Sequence, residues 1–464
     1  MAAQVMPANY EAVPVAPAGT PSPVKARYLL GFPLLHADPM DRRSFVVTLG
    51  GASATVHPGA AALVRDALAP IRHLSAQQVA QDEAFWMRVR QAYTIDANHV
   101  NLNSGSVSPA PRVVSEAMNR YWTMTNMSPS LYVDELIYPE MEIVRRRLAR
   151  AFGCDPEELA LTRNTSESLQ IVQMGLVLKA GDEIVSTTQD YPRMLTAWRQ
   201  RERRDGLVLK LVSFPVPPPS MEYLYDRVFS AVTARTRVIH ICHMTYTTGQ
   251  IFPVKRICDE ARRRGITTVV DGGHTFAQFP FTVADLGCDF YGTSLHKWLC
   301  APVGNGFLYV RRPLISTVWP LLAADPAQDH DIRKFEQIGT YPIALRAALS
   351  DALTFHDEIG AERKAARLRF LRERWMRALE PVRGVHLLTS FDAAQACALG
   401  AVRLEGLGAQ ALTDTLQARW RIHVRPRFVP NEFEGIRVTP NVFTALDEVD
   451  LFVEGMKTLA AATR

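Results

Sequence analysis

Two short runs hold the residues best suited to chemistry. Thr268-Val-Val-Asp-Gly-Gly-His-Thr-Phe-Ala-Gln ends an apolar stretch on Asp271, and Gly292-Thr-Ser-Leu-His-Lys-Trp sets Lys297 26 residues further on. Alone, an Asp after an apolar strand is a turn residue, and a lone Lys is a surface residue. Together they pair an anion with an amine that can act as a covalent nucleophile. A free lysine titrates at about 10.4, so its surroundings must lower that value for it to react near neutral pH. A third run, Thr162-Arg-Asn-Thr-Ser-Glu-Ser, opens a helix directly after a strand. The free N–H groups and dipole of such a helix start attract anions, and Thr165 and Ser166 add hydroxyls. The same residues equally serve as plain helix caps. Arg437, in Gly435-Ile-Arg-Val-Thr-Pro, offers the planar fork that matches a carboxylate. Outside such a run it would be a surface arginine on a strand.

These residues need a frame. Short apolar runs at 159–162, 183–186, 207–212, 238–242, 267–270 and 306–310 predict strands. Between them, helical spacing predicts helices over 166–178, 193–204 and 254–264. Strands alternating with helices of this length predict an α/β fold with a mostly parallel sheet covered on both faces. In such sheets ligands gather at the carboxyl ends of the strands, where Asp271 and Lys297 both fall. Ahead of this core, helices are expected over 75–92, with Ser75 as its cap, and over 111–123 and 138–152. The last of these carries Arg145, Arg146 and Arg147 on an expected solvated face. A linking helix is expected from Leu345. After it come strands at 387–388, 401–404, Val424 and 436–438, then a closing helix over 446–459, read as a smaller α+β domain.

The ordered set of motifs resembles the class V aminotransferase family of pyridoxal-phosphate enzymes (fold type I), and within it isopenicillin-N-epimerase-like proteins. The resemblance covers roughly residues 98–460. It rests on Leu102-Asn-Ser-Gly-Ser, Thr162-Arg-Asn-Thr-Ser-Glu-Ser, Asp190-Tyr-Pro, Asp271-x-x-His274, Ser294-Leu-His-Lys297, Gly339-Thr340 and Arg437. It implies pyridoxal 5′-phosphate joined to Lys297 as a Schiff base, with Asp271 at the ring nitrogen. The phosphate would be met by Thr165, Ser166, Ser294 and His296, and by Thr340 from a neighbouring subunit, hence a homodimer with shared sites. Tyr191 would lie over the ring, where many relatives have His, and His274 near the ring hydroxyl. A lone histidine here would equally be structural. Arg437 would clamp a substrate carboxylate, with Asn103 and His243 nearby. In the run around His243, desulfurase-like relatives carry Asn in place of Tyr246. The implied activity is chemistry at the Cα of an amino-acid-like substrate, by amino-group transfer or epimerisation, with a β-eliminating or C–S lyase as the alternative. Cysteine desulfurases of the class carry a catalytic Cys on a small-domain loop. The matching stretch here, Arg421-Ile-His-Val-Arg-Pro, has none and Cys397 comes too early, so a persulfide mechanism is not expected.

Composition narrows the remaining classes. With 464 residues the chain has room for two to three domains. We divide it into a tail over 1–39, a signal and linker over 40–74, an N-terminal segment and cofactor domain over 75–344, and a small domain over 345–464. A net charge of +5 with no long basic run does not point to nucleic acid. No apolar run is long enough to predict a membrane span. Six cysteines with no C-x-x-C spacing predict neither a metal site nor a redox pair, and read as reduced and structural. A dinucleotide dehydrogenase would need G-x-G-x-x-G opening a helix, and Gly304-Asn-Gly306 leads into a strand instead. An idle cofactor-fold protein is opposed by the intact Asp271, Lys297 and Arg437. The first 39 residues are Pro-rich without period. The run from Met40, with Arg42-Arg43 ahead of Phe45, resembles a twin-arginine export signal. If Met40 is the true start, the expected location is periplasmic; otherwise it is cytoplasmic.

Overall fold

A computed structural model describes residues 58–463. The tail and the arginine pair lie outside them. Thirteen strands occur among the described residues, in chain order β1 (Val100–Asn101), β2 (Leu159–Thr162), β3 (Glu183–Thr187), β4 (Val208–Val212), β5 (Thr236–Cys242), β6 (Thr267–Asp271), β7 (Phe290–Ser294), β8 (Gly306–Val310), β9 (Val385–Leu387), β10 (Gly400–Leu404), β11 (Ile422–His423), β12 (Arg425–Val429) and β13 (Phe433–Val438).

Seven strands form one sheet in the order β2-β8-β7-β6-β5-β3-β4. The five strands from β7 to β4 pair in parallel, while β8 runs against both of its neighbours. Strands covered on both faces have no polar side to show, which is why β2, β3, β7 and β8 are buried along their whole length. The chain passes from β3 out to β4, then returns and builds β5, β6 and β7 in the other direction. That reversal leaves a crevice beyond the carboxyl ends of β3 and β5.

A four-stranded antiparallel sheet, β12-β13-β10-β9, packs its own core of Leu371, Trp375, Leu416, Phe452 and Met456. Close packing explains two of its glycines. A Cβ on Gly400 would lie 2.4 Å from the Trp375 ring, and one on Gly435 2.8 Å from the Val402 carbonyl. The pair β1-β11 and a bridge between Asn103 and Thr439 tie the segment around residue 100 to this second sheet. Asn103 thereby lies close to Arg437 in space despite their separation in sequence.

Three expectations are corrected. The helix expected over 75–92 is two helices, Ala76–Ala80 and Glu83–Arg90. Ser75 caps the first; the Asp82 carboxylate accepts from the Phe85 N–H and starts the second, so a short polar side chain interrupts the run. The helix expected from Leu345 is Ile343–Ala347, Leu349–Ile359 and Ala361–Leu379, the last two divided at Gly360, whose φ is +87°. Of the three arginines expected in solvent, Arg146 is exposed and Arg147 half-buried, but Arg145 is buried. Arg145 donates to the Leu159 carbonyl at 2.6 Å and pairs with Glu336 and Glu142. Glu336 also accepts the Leu161 N–H, so this cation and its acids clamp the edge strand β2.

Candidate active site

A cavity of about 420 Å³ opens at the crevice. Its lining joins the ends of β5, β6 and β7, the start of the Thr165–Gly175 helix, the loop around Ser106, and the face of β12 and β13. The strand register sets the first contacts: Cys242 pairs with Asp271, and Asp271 with Gly292. Asp271 is buried, and its Oδ1 accepts the Gly273 N–H at 2.8 Å. Burial raises its pKa, while the Gly273 N–H and the charge of Lys297 act the other way. A cation placed against this carboxylate would hold it ionised.

Lys297 lies in the turn after β7, half-buried, with Nζ 3.3 Å from His274 Nε2. Burial, helped by Arg437 and Arg427 and opposed by Asp271, draws its pKa down to about 8. His274 is kept neutral by burial and by the lysine charge, and its Nδ1 has no partner.

The Thr165–Gly175 helix is capped by Asn164, whose Oδ1 accepts the Glu167 N–H at 2.9 Å. Its first residue faces the end of β7: the Thr165 N–H donates to Ser294 Oγ at 2.9 Å, and the two hydroxyls lie 2.7 Å apart. Ser166 and His296 complete this wall, and burial pushes His296 down to about 4. The helix can come this close because β7 carries Gly292, where a Cβ would lie 2.8 Å from Ser168 Cβ.

On the opposite wall Arg437 is buried, donating to the Tyr246 carbonyl and Asn103 Oδ1 at 2.9 Å each and to Ser106 Oγ at 3.0 Å. Tyr191 precedes the Pro192–Asp205 helix and meets Tyr246 edge to face, ring centres 5.3 Å apart. Beneath it lies Asp190, fully buried, accepting from Ser186 Oγ, Thr187 Oγ1 and Cys242 Sγ at 3.0–3.1 Å. Burial lifts its carboxyl to about 6. The same contact and burial hold the Cys242 thiol protonated.

Eight of the expected site residues therefore line one cavity: Thr165, Ser166, Tyr191, Asp271, His274, Ser294, His296 and Lys297, with Arg437 a ninth. Three do not. Asn103 stands behind Arg437 and orients it. His243 is corrected: its ring lies at near right angles to those of Phe279 and Phe281, and it is not among the residues lining the cavity. Thr340 is exposed and outside the lining of its own chain's cavity. Sequence reasoning missed Arg425 and Arg427, which line the cavity without any motif. Their i, i+2 spacing on a strand was the available signal.

The fold and this site define a pyridoxal-phosphate enzyme of fold type I. The family description "Aminotransferase class-V" matches residues 100–426, and the chain belongs to that family. It is 31% identical over 395 residues to isopenicillin N epimerase of Streptomyces clavuligerus, covering 81% of this chain and 98% of that protein. It is 28% identical over 297 residues to a probable cysteine desulfurase of Synechocystis sp., covering 59% and 70%. Among solved structures, cysteine desulfurase from Thermococcus onnurineus NA1 superposes with a TM-score of 0.72 at 22% identity, over 81% of this chain and 98% of that one.

Family membership brings pyridoxal 5′-phosphate as the cofactor, and the residues present fit it. Gly273 leaves a cradle: a Cβ there would sit 3.0 Å from Asp271 Oδ1 and from Thr165 Oγ1, and 3.4 Å from Lys297 Nζ. An acid, an amine and a hydroxyl thus converge on one small space. Buried His274 Nδ1 and His296 Nδ1 still lack partners.

Proposed function

We propose that this protein moves a proton at the Cα of an amino-acid-like substrate, as an epimerase or an amino-group transferase of class V. The observation that carries this reading is the Lys297 amine, drawn toward neutrality and flanked by His274 and Asp271 in a cavity whose far wall presents Arg437. Bound pyridoxal phosphate supplies the ring that accepts electrons from Cα. Lys297 would hold it through its aldehyde, and Asp271 would keep a proton on its ring nitrogen. The hydroxyls of Thr165, Ser166 and Ser294, with His296, receive the phosphate at the helix start. Tyr191, in the cavity wall, would pack against it. Arg437, held in orientation by Asn103 and Ser106, receives the substrate α-carboxylate and fixes which bond faces the lysine. The Lys297 amine would take the Cα proton of a bound substrate. Delivery of a proton to the other face of Cα, from Tyr191 or a histidine of the site as the second acid, would give epimerisation. With amino transfer as the outcome, Lys297 would carry the proton away from Cα instead of returning it.

The likeness to isopenicillin N epimerase supports epimerisation. The likeness to probable cysteine desulfurases supports a second reading, elimination at Cβ with C–S cleavage. Against a persulfide route stand the full burial of Cys397 and the holding of Cys242, which lines the cavity, as the thiol against Asp190. Incubating the cofactor-loaded protein with a panel of amino acids in deuterated water separates the outcomes. Deuterium at Cα with both configurations is the result expected of an epimerase. A keto acid with aminated cofactor gives transfer, and released sulfide with a keto acid gives elimination. No Cα exchange, no keto acid and no sulfide from any amino acid would contradict all three.

A further inference from the structure

The cavity holds more fixed positive charge than its cofactor and one carboxylate account for. β12 and β13 are antiparallel, with Arg425 opposite Arg437 and Arg427 opposite Gly435. Opposed residues and residues two apart share a sheet face, so all three guanidinium groups project from one side. All three line the cavity, where Asp271 is the only acidic residue. Gly435 has no side chain to cover Arg427.

Neither of the two more buried arginines is neutralised by the chain. Arg437 is engaged by neutral oxygens, and its buried Nε has no partner. Arg427 spends Nη1 on the neighbouring Pro426 carbonyl at 3.0 Å, its buried Nε is also unpartnered, and its guanidinium centre lies 5.2 Å from the Tyr246 ring centre. The charges that bear on Arg427 come from Arg425 and from the phenols Tyr246 and Tyr191; no carboxylate is among them. A desolvated guanidinium without an acid is costly, and an incoming anion relieves that cost. The phosphate is not that anion in our reading, because Thr165 at the helix start and Ser294 at the end of β7 receive it. The α-carboxylate answers Arg437 alone.

Resting on the function proposed above, we infer that the substrate is an amino diacid: an α-amino acid whose side chain ends in a second carboxylate, received by Arg427 with Arg425 beside it. A second cavity of about 680 Å³ shares Ser106 and Arg425 with the first.

The test uses the cofactor-loaded protein and matched probes: L-glutamate against L-glutamine, and L-2-aminoadipate against L-norleucine. Titration followed by the change in visible absorption gives an apparent dissociation constant for each. We expect at least one diacid to bind about 10-fold or more tightly than its neutral match, as a charge-assisted pair would give. Arg427→Gln should bring that ratio close to one. Arg437→Gln should weaken both members of a pair and leave the ratio standing. Arg427→Lys should restore part of it, which separates the charge from the fold. Equal binding of diacid and neutral probe, or a ratio that survives Arg427→Gln, would overturn the inference, as would a loaded protein whose spectrum answers to neither diacid. A protein with no visible cofactor band would instead defeat the function on which the inference rests.

Discussion

At the scale of residues, the site works by setting charges against burial. The amine of Lys297 is pressed toward neutrality by its surroundings, with Asp271 opposing. The sign of the pH dependence follows. Below about pH 8 the amine is protonated and cannot attack an aldehyde; above it the amine is free. The rate at which apoprotein takes up pyridoxal phosphate should therefore rise with pH and level off above about 8, rather than climb toward the ordinary lysine value; stopped-flow absorbance checks this. Arg437→Ala should lower kcat/KM by roughly 100-fold, the loss of a charged hydrogen-bonded partner to the carboxylate, measured by steady-state kinetics on any accepted amino acid. The sequence revealed residues that sit in unusual runs, such as Lys297 after Ser294-Leu-His296. It hid Arg427, because an arginine on a short strand carries no local sign of what lies across the sheet. It also misplaced His243, since only tertiary packing shows that Phe279 and Phe281 take up its ring.

At the scale of elements, the site depends on one helix pressed onto one strand. Gly292 allows the Thr165–Gly175 helix to lie against β7, so Gly292→Val should lift the helix start away from Ser294. We expect at least about 10-fold weaker retention of pyridoxal phosphate on dialysis, with the far-ultraviolet circular dichroism retained. Arg145 clamps β2 through Glu336, and removing one member of a buried pair strands the other. Arg145→Ala should then cost about 3–5 kcal/mol and lower the melting temperature in calorimetry. The parallel strands were legible in sequence because burial on both faces leaves continuous apolar runs. The helix ends were less so, because single residues such as Asp82 and Gly360 divide otherwise helical stretches. The face of Arg145 was unreadable: its acid Glu336 is distant in sequence.

At the scale of the whole molecule, the chain's two sheets each furnish a wall, and Thr340 stands outside the cavity of its own subunit. We propose that a second copy brings it to the phosphate. Light scattering should then give twice the 51.8 kDa chain mass, and Thr340→Ala should weaken cofactor retention without dissociating the dimer. We further propose export by the twin-arginine run. Sequencing the mature N-terminus should find a start between about residues 55 and 80, and a start near Met1 would contradict export. The central claim, covalent capture of pyridoxal phosphate by Lys297, is tested most directly by borohydride reduction followed by peptide mass spectrometry. The phosphopyridoxyl group should be found on Lys297 and vanish in Lys297→Ala. Label on another lysine, or none on a protein given pyridoxal phosphate, would contradict the account.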